Sequence, residues 1–204
     1  MNVAPEQLIS NLIEEKALGT PEIIEAFRST DRKYFVLPEH RLEAYGDYPL
    51  PIGYGQTISQ PTTVALMLEW LQPRAGQKIL DVGSGSGWTT ALLAHVAGPK
   101  GKVIGVEIIP ELVSFGQKNL AKFNFPQAEI ISAGKVLGYT KEAPYDRILV
   151  SATGRELPQE LVDQLAIGGI MVIPIGNSIF RIRKETSGKI IREEFPGFVF
   201  VPLQ

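Results

Sequence analysis

Between Lys78 and Trp88 the chain passes from a short apolar run to alternating glycines and then to a helical spacing. Ile79, Leu80 and Val82 predict a strand buried on both faces. Gly83, Gly85 and Gly87 remove side chains where the backbone must turn sharply and where a ligand could approach closely. The helix predicted from Trp88 would aim its free N–H groups back at that ligand. The remaining pattern is organised around this strand–turn–helix unit.

Upstream, Leu8, Leu12 and Ile13 share one face of a predicted helix over residues 5–18, closed by Gly19. Thr20 and Pro21 read as cap and first turn of a second helix carrying Ile23, Ile24 and Phe27. Residues 37–60 show no regular period. Their aromatic and aliphatic content (Tyr45, Tyr48, Leu50, Ile52, Tyr54, Ile58) predicts an ordered loop over a cleft and argues against disorder. Pro61 then opens a helix with Val64, Leu68 and Leu71 on one stripe. Downstream, strands are predicted at 102–106, 129–131, 145–150 and 170–174, with helices at 110–122 and 158–166 between them. A hairpin follows at 180–183 and 189–191, and a last strand at 198–201. Alternating β and α units closed by a hairpin predict an α/β, three-layer fold, its mostly parallel sheet carrying an antiparallel edge. We expect one domain over 1–204, with 1–60 as N-terminal helices and loop and 61–204 as the core.

Composition narrows the chemistry. The 204 residues are 44% hydrophobic and 21% charged, enough for one sizeable core. A net charge of −2 predicts no nucleic-acid surface. No Cys is present, which excludes disulfides, zinc–thiolate sites and a cysteine nucleophile. His40 sits in a polar turn and His95 in the helix after the glycines, so neither is placed as a base or ligand, and no metal is expected. The N-terminus lacks a signal-peptide pattern and no apolar run is long enough to span a bilayer, so we expect a cytoplasmic chain without membrane contact.

The glycines read G-x-G-x-G. A dinucleotide fingerprint needs G-x-G-x-x-G, and Trp88 occupies its last position. Asp81, at the end of the first core strand, suits an ammonium group. Glu107 ends the second strand 20 positions past Gly87, where an acid can accept from both ribose hydroxyls of a nucleoside. Thr57 and Ser59 lie just before a helix start, where hydroxyls and free N–H groups favour a carboxylate. Spacing alone leaves open whether Ser59 does this or only caps the helix.

The chain resembles the protein-L-isoaspartate O-methyltransferase family over nearly its whole length. The most specific stretch is Pro51-Ile52-Gly53-Tyr54-Gly55-Gln56-Thr57-Ile58-Ser59-Gln60-Pro61. Residues 81–87, Val106-Glu107, Ala143-Pro144-Tyr145-Asp146, Gly168-Gly169 with Pro174-Ile175-Gly176, and Phe200-Val201-Pro202-Leu203 also match. The resemblance implies a seven-stranded Rossmann-like methyltransferase fold. It implies methyl transfer from S-adenosylmethionine to the α-carboxylate of isoaspartyl residues in damaged proteins, the ester then collapsing to a succinimide that can reopen as aspartate. It places Ser59 as the active-site residue. Thr57, Ile58, Ser59, Gln60, Asp81, Gly83, Ser84, Gly85, Ser86, Gly87, Glu107, Ile108, Ala133 and Gly134 would hold the cofactor, and Ser59, Val201, Pro202 and Leu203 would meet substrate. The expected partners are isoaspartyl proteins and peptides, met by a monomer.

One departure stands out. The family usually carries Gly-Asp-Gly after its third strand, the Asp accepting from the adenine amino group. Here those positions are Ala133-Gly134-Lys135, so the acid is missing. Two rival readings follow: a methyltransferase with another substrate, or a non-catalytic member that keeps the cleft as a binding surface.

Overall fold

A computed structural model describes residues 4–203. Helices α1 (Pro5–Glu14) and α2 (Pro21–Ser29) come first, then two 3-10 turns, Arg32–Tyr34 and Pro38–Glu43. A hairpin of β1 (Leu50–Gly53) and β2 (Gln56–Ile58) leads into α3 (Pro61–Leu71). The core continues with β3 (Lys78–Val82), α4 (Trp88–Ala97), β4 (Lys102–Glu107), α5 (Pro110–Leu120), β5 (Ala128–Ser132) and β6 (Tyr145–Val150). It closes with α6 (Gln159–Gln164), β7 (Leu165–Ile175), β8 (Ser178–Lys184) and β9 (Ile190–Pro196).

Strands β3 to β9 form one sheet in the order β5-β4-β3-β6-β7-β8-β9. The first five in that order pair parallel, and β8 and β9 add an antiparallel edge, as the patterning predicts. Side chains alternate across the sheet with period two. Ile79, Val103 and Leu149 face a core built with α1 to α5, while Leu80, Ile104 and Ile148 face the opposite layer, where Leu161 and Val162 of α6 pack. The large apolar layer therefore lies on one side and holds both N-terminal helices. Phe27 of α2 meets Trp88 of α4 edge to face at 5.4 Å between ring centroids, which joins the N-terminal segment to the start of the glycine-turn helix.

Three local expectations are corrected. The first helix stops at Glu14, not Leu18, because Lys16 takes a left-handed φ of 60°. That turn swings Ala17 and Leu18 into the core, and their N–H groups donate to the Leu12 carbonyl. Thr20 precedes α2 without capping it. Its hydroxyl donates to Glu69 of α3 at 2.6 Å, and Glu69 also accepts from the Gly19 and Thr20 amides, both at 2.7 Å. The neighbouring carboxylate is a stronger acceptor than a hydroxyl, so Glu69 anchors the chain just before α2 to α3, and the helix start is left without a side-chain cap. The strand expected at 198–201 does not form: Gly197, at φ 98°, turns the chain away from β9. Val201 and Leu203 bond the main chain of Thr153 instead, which carries the C-terminal segment over the ends of the central strands.

Candidate active site

In the sheet order β3 stands between β4 and β6, so connections leave it in both directions and a crevice opens beyond its C-terminal end. A cavity of about 430 Å3 occupies this place. Gly83 and Gly85 line it at φ 77° and 50°, and the Gly83 and Ser84 amides donate to the Val106 carbonyl at 2.9 and 3.1 Å, which ties the turn to the tip of β4. Gly87 does not face the cavity. It takes φ 90° against α5, where a Cβ would stand 2.9 Å from Ile130 Cδ1 and 3.1 Å from the Gly116 carbonyl oxygen. Its hydrogen side chain serves helix packing.

Glu107 is buried at the cleft wall. One carboxylate oxygen accepts from the Ile108 and Ile109 amides at 2.8 and 3.0 Å, the other from Gly85 N–H at 2.9 Å. These bonds fix the carboxylate between the two strand tips. They take three of its roughly four acceptor positions and leave about one for a ligand.

Asp81 does not line the cleft, contrary to the expected ammonium contact. Sharing the face of Ile79, it lies under the first turn of α4, where Oδ2 accepts from the hydroxyls of Thr89 and Thr90, both at 2.7 Å. Thr89 does line the cleft, so Asp81 reaches it only through that hydroxyl. Full burial raises the Asp81 carboxyl to about 6; the two hydroxyls oppose this and the Glu107 charge adds to it.

Thr57, Ile58 and Ser59 line the cleft. Gln60 does not. It faces a second cavity of about 240 Å3, which Thr57, Ser59, Ser151 and Val201 share with the cleft. Ser59 therefore stands at the junction of the two spaces. It does not cap α3. Gln60 holds the cap position, and Asp47 closes the helix end by accepting from Thr62 N–H at 2.8 Å and the Thr62 hydroxyl at 2.7 Å. Asp47 also accepts from Gln60 Nε2 at 3.0 Å. The α3 terminus, expected to offer free N–H groups to a carboxylate, is already met by one.

Ser84, Ser86, Ile108, Ala133 and Gly134 line the cleft, and Val201, Pro202 and Leu203 close its mouth. Residues 37–60 are ordered, and the hairpin within them lies over the glycine turn, Ile52 Cδ1 standing 3.2 Å from where a Cβ on Gly85 would lie. Sequence reasoning missed Ile52, Trp88, Thr89, Leu137, Ser151 and Ala152 as lining residues. Ser151 and Ala152 carried a usable signal, since they follow a central parallel strand at its carboxyl end. Neither His40 nor His95 lines either cavity. Among the described residues no cluster of acids or histidines is arranged to hold a metal, and no helix is long and apolar enough to cross a membrane.

Residues 3–204 match the family described as Protein-L-isoaspartate(D-aspartate) O-methyltransferase (PCMT). The chain belongs to this family. A protein-L-isoaspartate O-methyltransferase of Methanopyrus kandleri is 42% identical over 98% of this chain and 91% of its own length. Protein-L-isoaspartate O-methyltransferase 2 of Archaeoglobus fulgidus is also 42% identical, over 98% and 92%. A Plasmodium falciparum structure assigned to the same enzyme, in complex with S-adenosyl-L-homocysteine, superposes with a TM-score of 0.87 at 28% identity, covering 100% of this chain and 99% of that one. The family match and these relatives span the N-terminal helices, the hairpin and the sheet alike.

Proposed function

We propose that this family member transfers a methyl group from S-adenosylmethionine to the α-carboxylate of L-isoaspartyl residues in damaged proteins. The observation that carries the proposal is Ser59, which lines both the cleft of about 430 Å3 and the adjoining cavity of about 240 Å3. The cleft fits the cofactor. Its volume lies in the range of small-molecule sites, and two of its glycines leave the backbone bare. Ser84 lines it as well, its Oγ sealed from solvent and without a hydrogen-bond partner among the described residues. Glu107 would accept from one ribose hydroxyl, and a second such bond would be shared with an amide it already serves. Thr57, Ile58, Ser84, Gly85, Ser86, Ile108, Ala133 and Gly134 would line the rest, with Asp81 acting through Thr89.

When bound, the cofactor supplies a methyl group on a sulfonium, an electrophile that needs no further activation. The attacking carboxylate is already an anion at neutral pH, so the chain needs no strong general base, which suits a cleft without His or Cys. What remains is to hold the carboxylate in line and keep water out. Ser59 Oγ would donate to the carboxylate and orient it. Val201, Pro202 and Leu203 would cover its far side. Ester collapse to the succinimide is chemistry of the product and asks nothing of the protein. The rival readings, another substrate or a silent binding module, are not favoured, because the family and the relatives above carry the isoaspartyl activity in their names. We take the monomer as the acting unit.

The test is methylation of an isoaspartyl peptide beside its aspartyl twin, with wild-type chain and Ser59→Ala. The wild type should methylate only the isoaspartyl form. Ser59→Ala should lose about tenfold or more in kcat/KM while S-adenosylhomocysteine affinity changes little, since one oriented hydrogen bond to a charged group is removed. Wild-type turnover in the mutant would reduce Ser59 to a lining residue.

A further inference from the structure

Arg32 lies in neither cavity and is 2% exposed. Its guanidinium donates only to main-chain carbonyls: Nη1 to Ala44 at 2.8 Å and Gly46 at 3.3 Å, Nη2 to Tyr48 and Ser59, both at 3.1 Å. The same group stands 5.4 Å from the ring centre of Trp88, which lines the cleft just after the glycine turn. One side chain thus holds the loop over 44–48, the backbone of Ser59 and a wall of the cofactor cleft together.

This is a costly arrangement for a structural filler. Burial lowers the guanidinium to about 10, and the neighbouring Asp47 only partly offsets it. Asp47 is committed elsewhere, to Thr62 and Gln60 at the start of α3. The charge is therefore dissolved in carbonyl dipoles, and a planar fork can satisfy several of these at fixed angles where a lysine cannot. Ser59 lies between two such anchors: its own carbonyl is held by Arg32, and the next residue, Gln60, is tied to Asp47.

We propose that Arg32 is a positioning residue for methyl transfer, fixing the main chain at Ser59 so that its hydroxyl stays at the junction of the two cavities. This rests on the isoaspartyl reading above. Arg32 touches no reacting atom and acts through Ser59. Loss of the fork would let Ser59 drift, and a displacement near 1 Å at a reacting centre costs about a hundredfold in rate.

The test is a double-mutant cycle on the full chain. Arg32→Met and Arg32→Lys are each made in wild-type and Ser59→Ala backgrounds. Isoaspartyl-peptide kcat/KM and S-adenosylhomocysteine affinity are measured below the melting temperature of every variant. Arg32→Met should lower kcat/KM by about ten- to hundredfold in the wild-type background and by less than about threefold when Ser59 is already Ala. Arg32→Lys should recover part of the loss, and cofactor affinity should stay within about threefold throughout. Losses that multiply in the Ser59→Ala background, cofactor affinity falling in step with turnover, or full activity in both Arg32 variants would each overturn the proposal. If Arg32→Met does not fold, Arg32→Lys in the two backgrounds is judged by the same comparison. A wild-type chain inactive on isoaspartyl peptide would sink the underlying reading and this one with it. An active wild type with multiplying losses sinks this one alone.

Discussion

Gly134→Asp should tighten cofactor binding. Gly134 lines the cleft at the position where the family resemblance implies an acid toward adenine, and a side chain added there would meet nothing within 4 Å. Its φ lies outside the left-handed region, so Asp enters without backbone strain. A hydrogen bond from the adenine amino group to a carboxylate is worth roughly 1.5–3 kcal/mol. Two terms reduce it. The loop is partly open to solvent, and the exposed neighbour Lys135 can compete for the new carboxylate, an exposed pairing worth at most about 1 kcal/mol. The remainder, about 0.5–2 kcal/mol, predicts affinity for S-adenosylhomocysteine rising by about two- to thirtyfold. Isothermal titration of the wild type and mutant at one ionic strength measures this, with a melting curve to show that the mutant is folded. Unchanged or weaker binding in a folded mutant would refute the reasoning, and adenine would then be held by main-chain groups around Ala133.

Glu107→Ala should lower S-adenosylhomocysteine affinity by about tenfold or more and also lower the melting temperature, because it removes a ribose acceptor and leaves the Gly85, Ile108 and Ile109 amides without their carboxylate. Calorimetric affinity equal to wild type would remove Glu107 from the cofactor's partners. Asp81 should make stability pH-dependent, since its folded value of about 6 lies above the ordinary 3.8. The contribution is fully present below about pH 4 and is lost as pH rises through 6, worth roughly 3 kcal/mol at about 1.4 kcal/mol per pH unit. Urea midpoints from pH 4 to 7 should therefore fall in the wild type relative to Asp81→Asn, which keeps an acceptor for Thr89 and Thr90; parallel curves would mean that the carboxyl titrates normally.

Local pattern settled the central strand–turn–helix unit. Ile79-Leu80 with Val82, the three glycines and the helical stripe beyond Trp88 specify a strand, a turn and a helix, because burial on both faces and positive φ each demand particular residue types. The order of strands and helices then left few topologies, and Glu107 was placed at the cleft by falling at the tip of the next strand. What lay beyond reach was which atom answers which. Ser59 and Asp47 are twelve residues apart, and only the folded loop shows that Asp47 caps α3 and frees the Ser59 hydroxyl. Asp81 and Glu107 look alike as acids at strand ends. Asp81 pairs with Gly105, so Glu107 stands two residues further along on the same face: the first stays under α4 and the second reaches past the strand ends into the cleft. Gly85 and Gly87 likewise differ only in what approaches them, Ile52 of the hairpin at the cleft or Gly116 of α5. Arg32 carries no local signal, because its partners are main-chain carbonyls up to 27 residues away. A main-chain carbonyl is the same at every residue, so nothing in the spacing of side chains reveals which ones a buried guanidinium will gather until packing has brought them together.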